Sequence, residues 1–69
     1  MSTIQIRLNG ESREMSAEQT LAGVIELLDL SAKRVAIELN GLVIARTKWP
    51  ETPLNEGDLI EVVHFVGGG

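Results

Sequence analysis

The sequence predicts an α+β fold in which one helix packs on a mixed sheet of four to five strands. Three observations carry that prediction. Alternating apolar and polar residues recur near the start, in the middle and at the end of the 69 residues. Two of these runs are followed at once by Asn-Gly, at Asn9-Gly10 and Asn40-Gly41, a pair that tolerates the positive φ angles of a tight hairpin. Between the two turns, Leu21, Val24, Ile25 and Leu28 recur at i, i+3, i+4 and i+7, the spacing of one helix face.

In chain order, Met1 to Leu8 sets Ile4, Ile6 and Leu8 on one face and Thr3, Gln5 and Arg7 on the other, a half-buried strand. Asn9-Gly10 turns the chain into a short second strand, Glu11 to Met15. Ser16-Ala17-Glu18-Gln19 reads as a capping box, in which a hydroxyl and a carboxamide satisfy free amides at a helix start. The helix that follows is expected to end near Leu28 to Ser31. Gly23 inside it costs ~1 kcal/mol relative to alanine, and a close approach of helix to sheet is one explanation. Val35 to Leu39 alternates again, Asn40-Gly41 turns it, and Leu42 to Ile44 returns. Arg46 to Pro53 holds both prolines and Trp49, so it reads as a loop or short helical turn. Asn55-Glu56-Gly57-Asp58 is a turn, and Leu59 to Val66 is a last strand of high β-propensity. With the first and last strands parallel and adjacent, this order is the β-grasp architecture. Residues 1–66 form that domain, and residues 67–69 a flexible tail.

Composition narrows the function. A chain this short buries only ~60% of the surface it exposes when unfolded, so walls for a catalytic pocket are scarce. Cysteine and tyrosine are absent and His64 is the single histidine, which removes most nucleophiles, acid–base groups and metal ligands. The net charge of −4, without a basic run, disfavours nucleic acid and anionic membranes. There is no stretch of ~18 apolar residues and no signal-peptide pattern, which predicts a soluble, cytoplasmic chain. A GxxxxGK[ST] loop is missing too, so no bound nucleotide or other cofactor is expected.

Three of the seven glycines stand together at Gly67, Gly68 and Gly69, directly after the last strand. A run without side chains can thread a channel too narrow for other residues and presents an uncrowded α-carboxylate. Four residues past Phe65 span at most ~14 Å. The alternative is an unstructured end without a role.

The chain resembles the ubiquitin-like sulfur carriers of bacteria, most closely the ThiS family of thiamine biosynthesis. The resemblance runs over the whole length. It rests on the two Asn-Gly turns, Val35-Ala-Ile-Glu-Leu-Asn-Gly41, Arg46 with Trp49, Glu56-Gly-Asp58 and the ending Val63-His-Phe-Val-Gly-Gly-Gly69. It implies that an adenylating (E1-like) enzyme activates the carboxylate of Gly69 with ATP. A sulfur donor such as a cysteine desulfurase then makes the thiocarboxylate, and thiazole synthase takes the sulfur. The family's Gly-Gly pair maps onto Gly68 and Gly69, and Gly67 is an extra glycine. By this resemblance the chain is a protein substrate and not an enzyme. A chain without a thiol cannot hold a persulfide, so sulfur on a carboxylate fits the missing cysteine. Related alternatives are a molybdopterin-synthase small subunit, a carrier for cysteine biosynthesis and a protein-tagging modifier. A non-reactive β-grasp interaction module is the alternative of another class.

Partner contacts are expected at Val63, Phe65, Val66 and Gly67. Glu61 calls for solvent, and alternation then puts Val63 and Phe65 on the same open face beside the tail. The competing reading packs both under a neighbouring loop. Trp49 is either a partner anchor or a plug at the sheet edge, and His64 either shapes the tail's exit or is structural.

Overall fold

The computed structural model describes residues 2–65. Strands β1 (Thr3–Leu8) and β2 (Glu11–Ser16) form the first hairpin, and helix α1 (Leu21–Leu27) follows. A 3-10 turn at Ala32–Arg34 leads to β3 (Val35–Leu39) and β4 (Leu42–Ile44). A second 3-10 segment, Arg46–Glu51, precedes β5 (Leu59–His64). The five strands make one sheet in the order β2-β1-β5-β3-β4. β1 and β5 run parallel, with Arg7 opposite Leu59 and Leu8 opposite Ile60, as the β-grasp order requires. The other pairings are antiparallel.

Alternation decides which face is covered. Ile6 and Leu8 of β1, Met15 of β2, Val35 and Ile37 of β3 and Ile60 of β5 are buried with Leu21, Val24 and Ile25 of α1. Trp49 and Leu54 join this core from the connection between β4 and β5. Trp49 is 3% exposed, and its Nε1 donates to the carbonyl of Ile44 at 3.0 Å. It plugs the core and is no partner anchor.

The helix departs from expectation at its start. Ser16 is the last residue of β2, and its Oγ accepts from Glu18 N–H at 3.1 Å, closing a turn and not a helix start. The N-cap is Thr20, whose hydroxyl accepts from Gly23 N–H at 3.2 Å. Two ties to the connecting segment fix this start: Leu21 N–H donates to Thr52 O, and Leu54 N–H donates to Gln19 O. The helix is thus seven residues, shorter than its apolar stripe suggests. It ends where Asp29 takes a φ of 57°. There Asp29 N–H reaches Glu26 O and Leu30 N–H reaches Ile25 O, a Schellman closure without the usual glycine. Gly23 does not face the sheet. A Cβ there would collide with the carboxamide of Gln19, which lies over it and accepts from Thr20 N–H.

Both Asn-Gly turns do more than reverse the chain. Asn9 and Asn40 adopt positive φ (51° and 52°), followed by Gly10 and Gly41 at 84° and 88°. Each asparagine also grips β5. Asn9 N–H donates to Ile60 O, its Oδ1 accepts from Val62 N–H at 2.8 Å, and its Nδ2 reaches Val62 O at 3.4 Å. Asn40 N–H donates to Leu59 O at 2.7 Å, and its Oδ1 accepts from Leu59 N–H at 2.9 Å. Its Nδ2 donates to the buried carboxylate of Asp58, which also accepts from Asn55 N–H.

Glycine at either position keeps the turn and removes only the grip. Asn9→Gly is expected to lower stability by about 1–2 kcal/mol, the net value of its side-chain bonds. Asn40→Gly is expected to cost more, because it also strips a partner from buried Asp58. Urea unfolding reads both as a lower midpoint at unchanged slope. Midpoints equal to wild type would show that the two side chains do not fasten β5.

Candidate functional site

The site begins at the end of β5, the strand that leads into the glycines. Phe65 N–H donates to Arg34 O at 2.7 Å, so the chain is held to its neighbour one residue beyond the strand. Val66, Gly67, Gly68 and Gly69 lie outside the described residues. On β5, Ile60 is buried and Val62 half-buried on the helix side. Glu61, Val63 and Phe65 turn to the other, open face. Val63 is 49% and Phe65 54% exposed, so neither packs under a loop. The expected placement of these two side chains therefore holds. His64 pairs opposite Val35 on the helix side of the sheet and remains exposed.

The open face divides into two unlike halves. Over β1 and β2 its polar side chains satisfy one another. Thr3 Oγ1 donates to Glu14 at 3.2 Å, Ser12 Oγ donates to Gln5 Oε1 at 3.0 Å, and Arg7 reaches Gly10 O at 2.9 Å. Over β5, β3 and β4 the composition changes. Val63 stands opposite Ala36, Glu61 opposite Glu38, and Glu38 opposite Val43. Val43 is 71% exposed and Leu59 52%. The result is an apolar surface around two facing carboxylates, continuous with Phe65 and hence with the root of the tail.

Sequence reasoning reached Val63 and Phe65 through alternation but not Glu38, Val43 or Leu59. Those three join the face only through the β3–β5 and β3–β4 register, which no single strand reveals. At the other end of the sheet, beside the start of β1, is a shallow cleft of about 110 Å³ lined by Ser2, Ser16, Ala17 and Glu18. It is well below the ~300–1,000 Å³ of small-molecule sites. Among the described residues, no helix is long and apolar enough to cross a membrane.

Comparison with known proteins agrees with this arrangement. A model of the ThiS family matches residues 6–69. The chain is 39% identical over 62 residues to the sulfur carrier protein ThiS of Thermus thermophilus, covering 90% of this chain and 95% of that one. It is 42% identical over 66 residues to a thiazole synthase of Magnetococcus marinus, covering 96% of this chain but spanning only 20% of that protein's length. The crystal structure of the thiamine biosynthesis protein ThiS from Geobacter metallireducens superposes with a TM-score of 0.78 at 28% identity. That overlay covers 96% of this chain and all of the Geobacter one. Sequence and fold thus converge over nearly the whole length, and the chain belongs to the ThiS family.

Proposed function

We propose that the chain is a sulfur carrier of thiamine biosynthesis that bears sulfur as a thiocarboxylate on Gly69 and delivers it to thiazole synthase. The observation that carries this reading is the family match, which runs through the glycines at 67–69. The open face around Phe65 and Val63 supports it as the surface on which a partner takes hold of the tail.

On this reading the chemistry starts from the carboxylate of Gly69. A carboxylate resists substitution because oxide is a poor leaving group. In the adenylating enzyme, an oxygen of the Gly69 carboxylate attacks the α-phosphorus of ATP and pyrophosphate departs. The acyl carbon then carries AMP as a leaving group, which the terminal sulfur of a persulfide donor displaces. A second thiol then attacks the donor's sulfur in the resulting acyl disulfide, forming a new disulfide and releasing the thiocarboxylate. The carrier contributes no acid, base or nucleophile besides that carboxylate. Its role is to hold the carbonyl at a fixed reach from a docking face. Glycines allow the thread to pass, since a side chain at these positions would widen it and restrict φ. The Magnetococcus thiazole synthase, one segment of which resembles this chain, supports thiazole synthase as the acceptor.

Two sets of variants test the reading. Gly68→Val is expected to leave stability unchanged and to reduce sulfur loading severely, because a β-branched residue narrows φ and thickens the thread. Removing Gly69 shortens the arm by ~3.5 Å, far beyond the ~0.5 Å placement tolerance of a reacting group. Intact mass after incubation with the adenylating enzyme, ATP and a sulfur donor reads the exchange of one oxygen for sulfur. Normal loading of the Gly69 deletion, or of a chain extended by one residue, would overturn the carrier reading.

Val63→Glu and Phe65→Glu probe the face. Each is expected to leave the domain folded, because both positions are half-exposed, and to weaken binding to the adenylating enzyme by placing a carboxylate in an apolar contact. Circular dichroism checks the first expectation and titration calorimetry the second. Unaltered affinity in both variants would remove this face from the interface.

A further inference from the structure

The facing pair Glu38 and Glu61 has no use in the isolated domain. The two residues are direct cross-strand neighbours of β3 and β5, where like charges oppose each other unfavourably. Among the described residues neither has an ion-pair or hydrogen-bond partner. The sole ion pair there joins Arg13 to Glu11, on another strand of the sheet. This contrasts with the polar half of the same face, where Thr3, Glu14, Gln5, Ser12 and Arg7 all find partners. Around the pair stand Val43, Leu59, Val63 and Phe65, each about half or more exposed.

We infer that Glu38 and Glu61 form a socket for one cationic side chain, an arginine or lysine set among apolar residues, on the enzyme that adenylates the tail. The inference rests on the proposed function and adds the chemistry of the partner's contact. Two facts of the fold select this occupant. The carboxylates share a face with Phe65, at the root of the tail, so a protein that receives the tail lies over this part of the sheet. Their charge is set among apolar residues, with Arg7, opposite Leu59 on the same face, turned to Gly10 O. A cation from the partner is the group that both satisfies and neutralises two carboxylates when that patch is covered. A second copy of the chain is disfavoured by the same charge, since two such faces related by a two-fold axis would bring four carboxylates together. An arginine can bind carboxylates in a bidentate way, which gives the socket orientation as well as attraction. The contact would set the angle at which β5 meets the partner, and so where the tail enters.

The test uses the full chain and its cognate adenylating enzyme. Glu38→Gln/Glu61→Gln keeps shape and removes charge, and Glu61→Gln alone serves as the milder variant. The double variant is expected to melt no lower than wild type, since repulsion is relieved. Its affinity for the adenylating enzyme is expected to fall by about tenfold or more, with a shallower dependence on ionic strength. Wild-type sulfur loading is read in parallel by intact mass. Equal affinity and equal salt dependence would overturn the socket while leaving a loaded carrier intact. A lower melting point in both variants would also overturn it, by making the pair a support of the fold. So would failure of the wild type to bind, or loss of a wild-type dimer on neutralisation, which would make another copy the occupant. Binding that depends on the two glutamates, with no loading of the wild type, would instead overturn the sulfur chemistry and keep the socket.

Discussion

The structure depends on how strand β5 is held between two hairpins. The strand pairs with β3 over five register positions, but its pairing with β1 extends over only two. Asparagine side chains complete it. The carboxamide of Asn9 copies a peptide group and carries the parallel ladder on to Val62, past the point where β1 has turned away. Asn40 does the same on the other flank at Leu59, and its free amide secures Asp58, the one buried acidic residue described. A turn residue chosen for positive φ thereby also becomes a strand fastener. Glycine would satisfy the first requirement and fail the second.

That fastening sorts the two faces of the sheet. One face receives the helix, Trp49 and Leu54, and is sealed. The other receives nothing from the described residues, and its character follows from the strands that compose it. The outer hairpin of β1 and β2 carries Thr3, Gln5, Ser12 and Glu14, which bond across the pair and present a satisfied polar surface. The half over β5, β3 and β4 keeps valines, a phenylalanine and two opposed glutamates. This asymmetry on a single sheet is why one half suits water and the other suits a protein. It coincides with the strand that leads to the glycines, so on the proposed function docking and delivery share one element.

Much of this was legible in the residues. The limits of β3 and β4 followed from alternation and from the Asn-Gly turn, which act over a few residues, while the parallel meeting of β1 with β5 was a common solution for the element order that the structure adopts. The helix start did not follow. Ser16 and Gln19 fit a capping pattern, yet Thr20 wins because Leu21 and Leu54 tie that point of the chain to the segment around Thr52, some thirty residues away. The helix end fell near the expected Leu28 to Ser31, with Leu28 as C-cap and Asp29, not glycine, in the left-handed turn. At Gly23 the neighbour is Gln19, one turn back, where a sheet contact was expected. On the open face, Val63 and Phe65 were readable from one strand, but Glu38 and Val43 required the pairing of three. Local chemistry was visible, and what depended on register was not.

Register is also where stability and function meet. The sequence Leu59-Ile-Glu-Val-Val-His alternates so evenly that a slip of two residues would still point an aliphatic side chain, Val62, into the place of Ile60. Hydrophobic patterning therefore does not forbid that error. It would move the root of the tail by ~6.6 Å along the strand, against the ~0.5 Å within which a reacting group must be placed. Bonds to the backbone of β5 do not forbid it either, since each residue offers the same groups. The buried side chain of Asp58 does discriminate: it accepts from Asn40 Nδ2 and from Asn55 N–H, and a slip would withdraw it. Phe65, tied to Arg34, extends the same register to the last described residue. On the proposed function, a carboxylate presented at Gly69 needs a strand of fixed register behind it. Asn40, placed where a hairpin needed it anyway, fixes that register through Asp58.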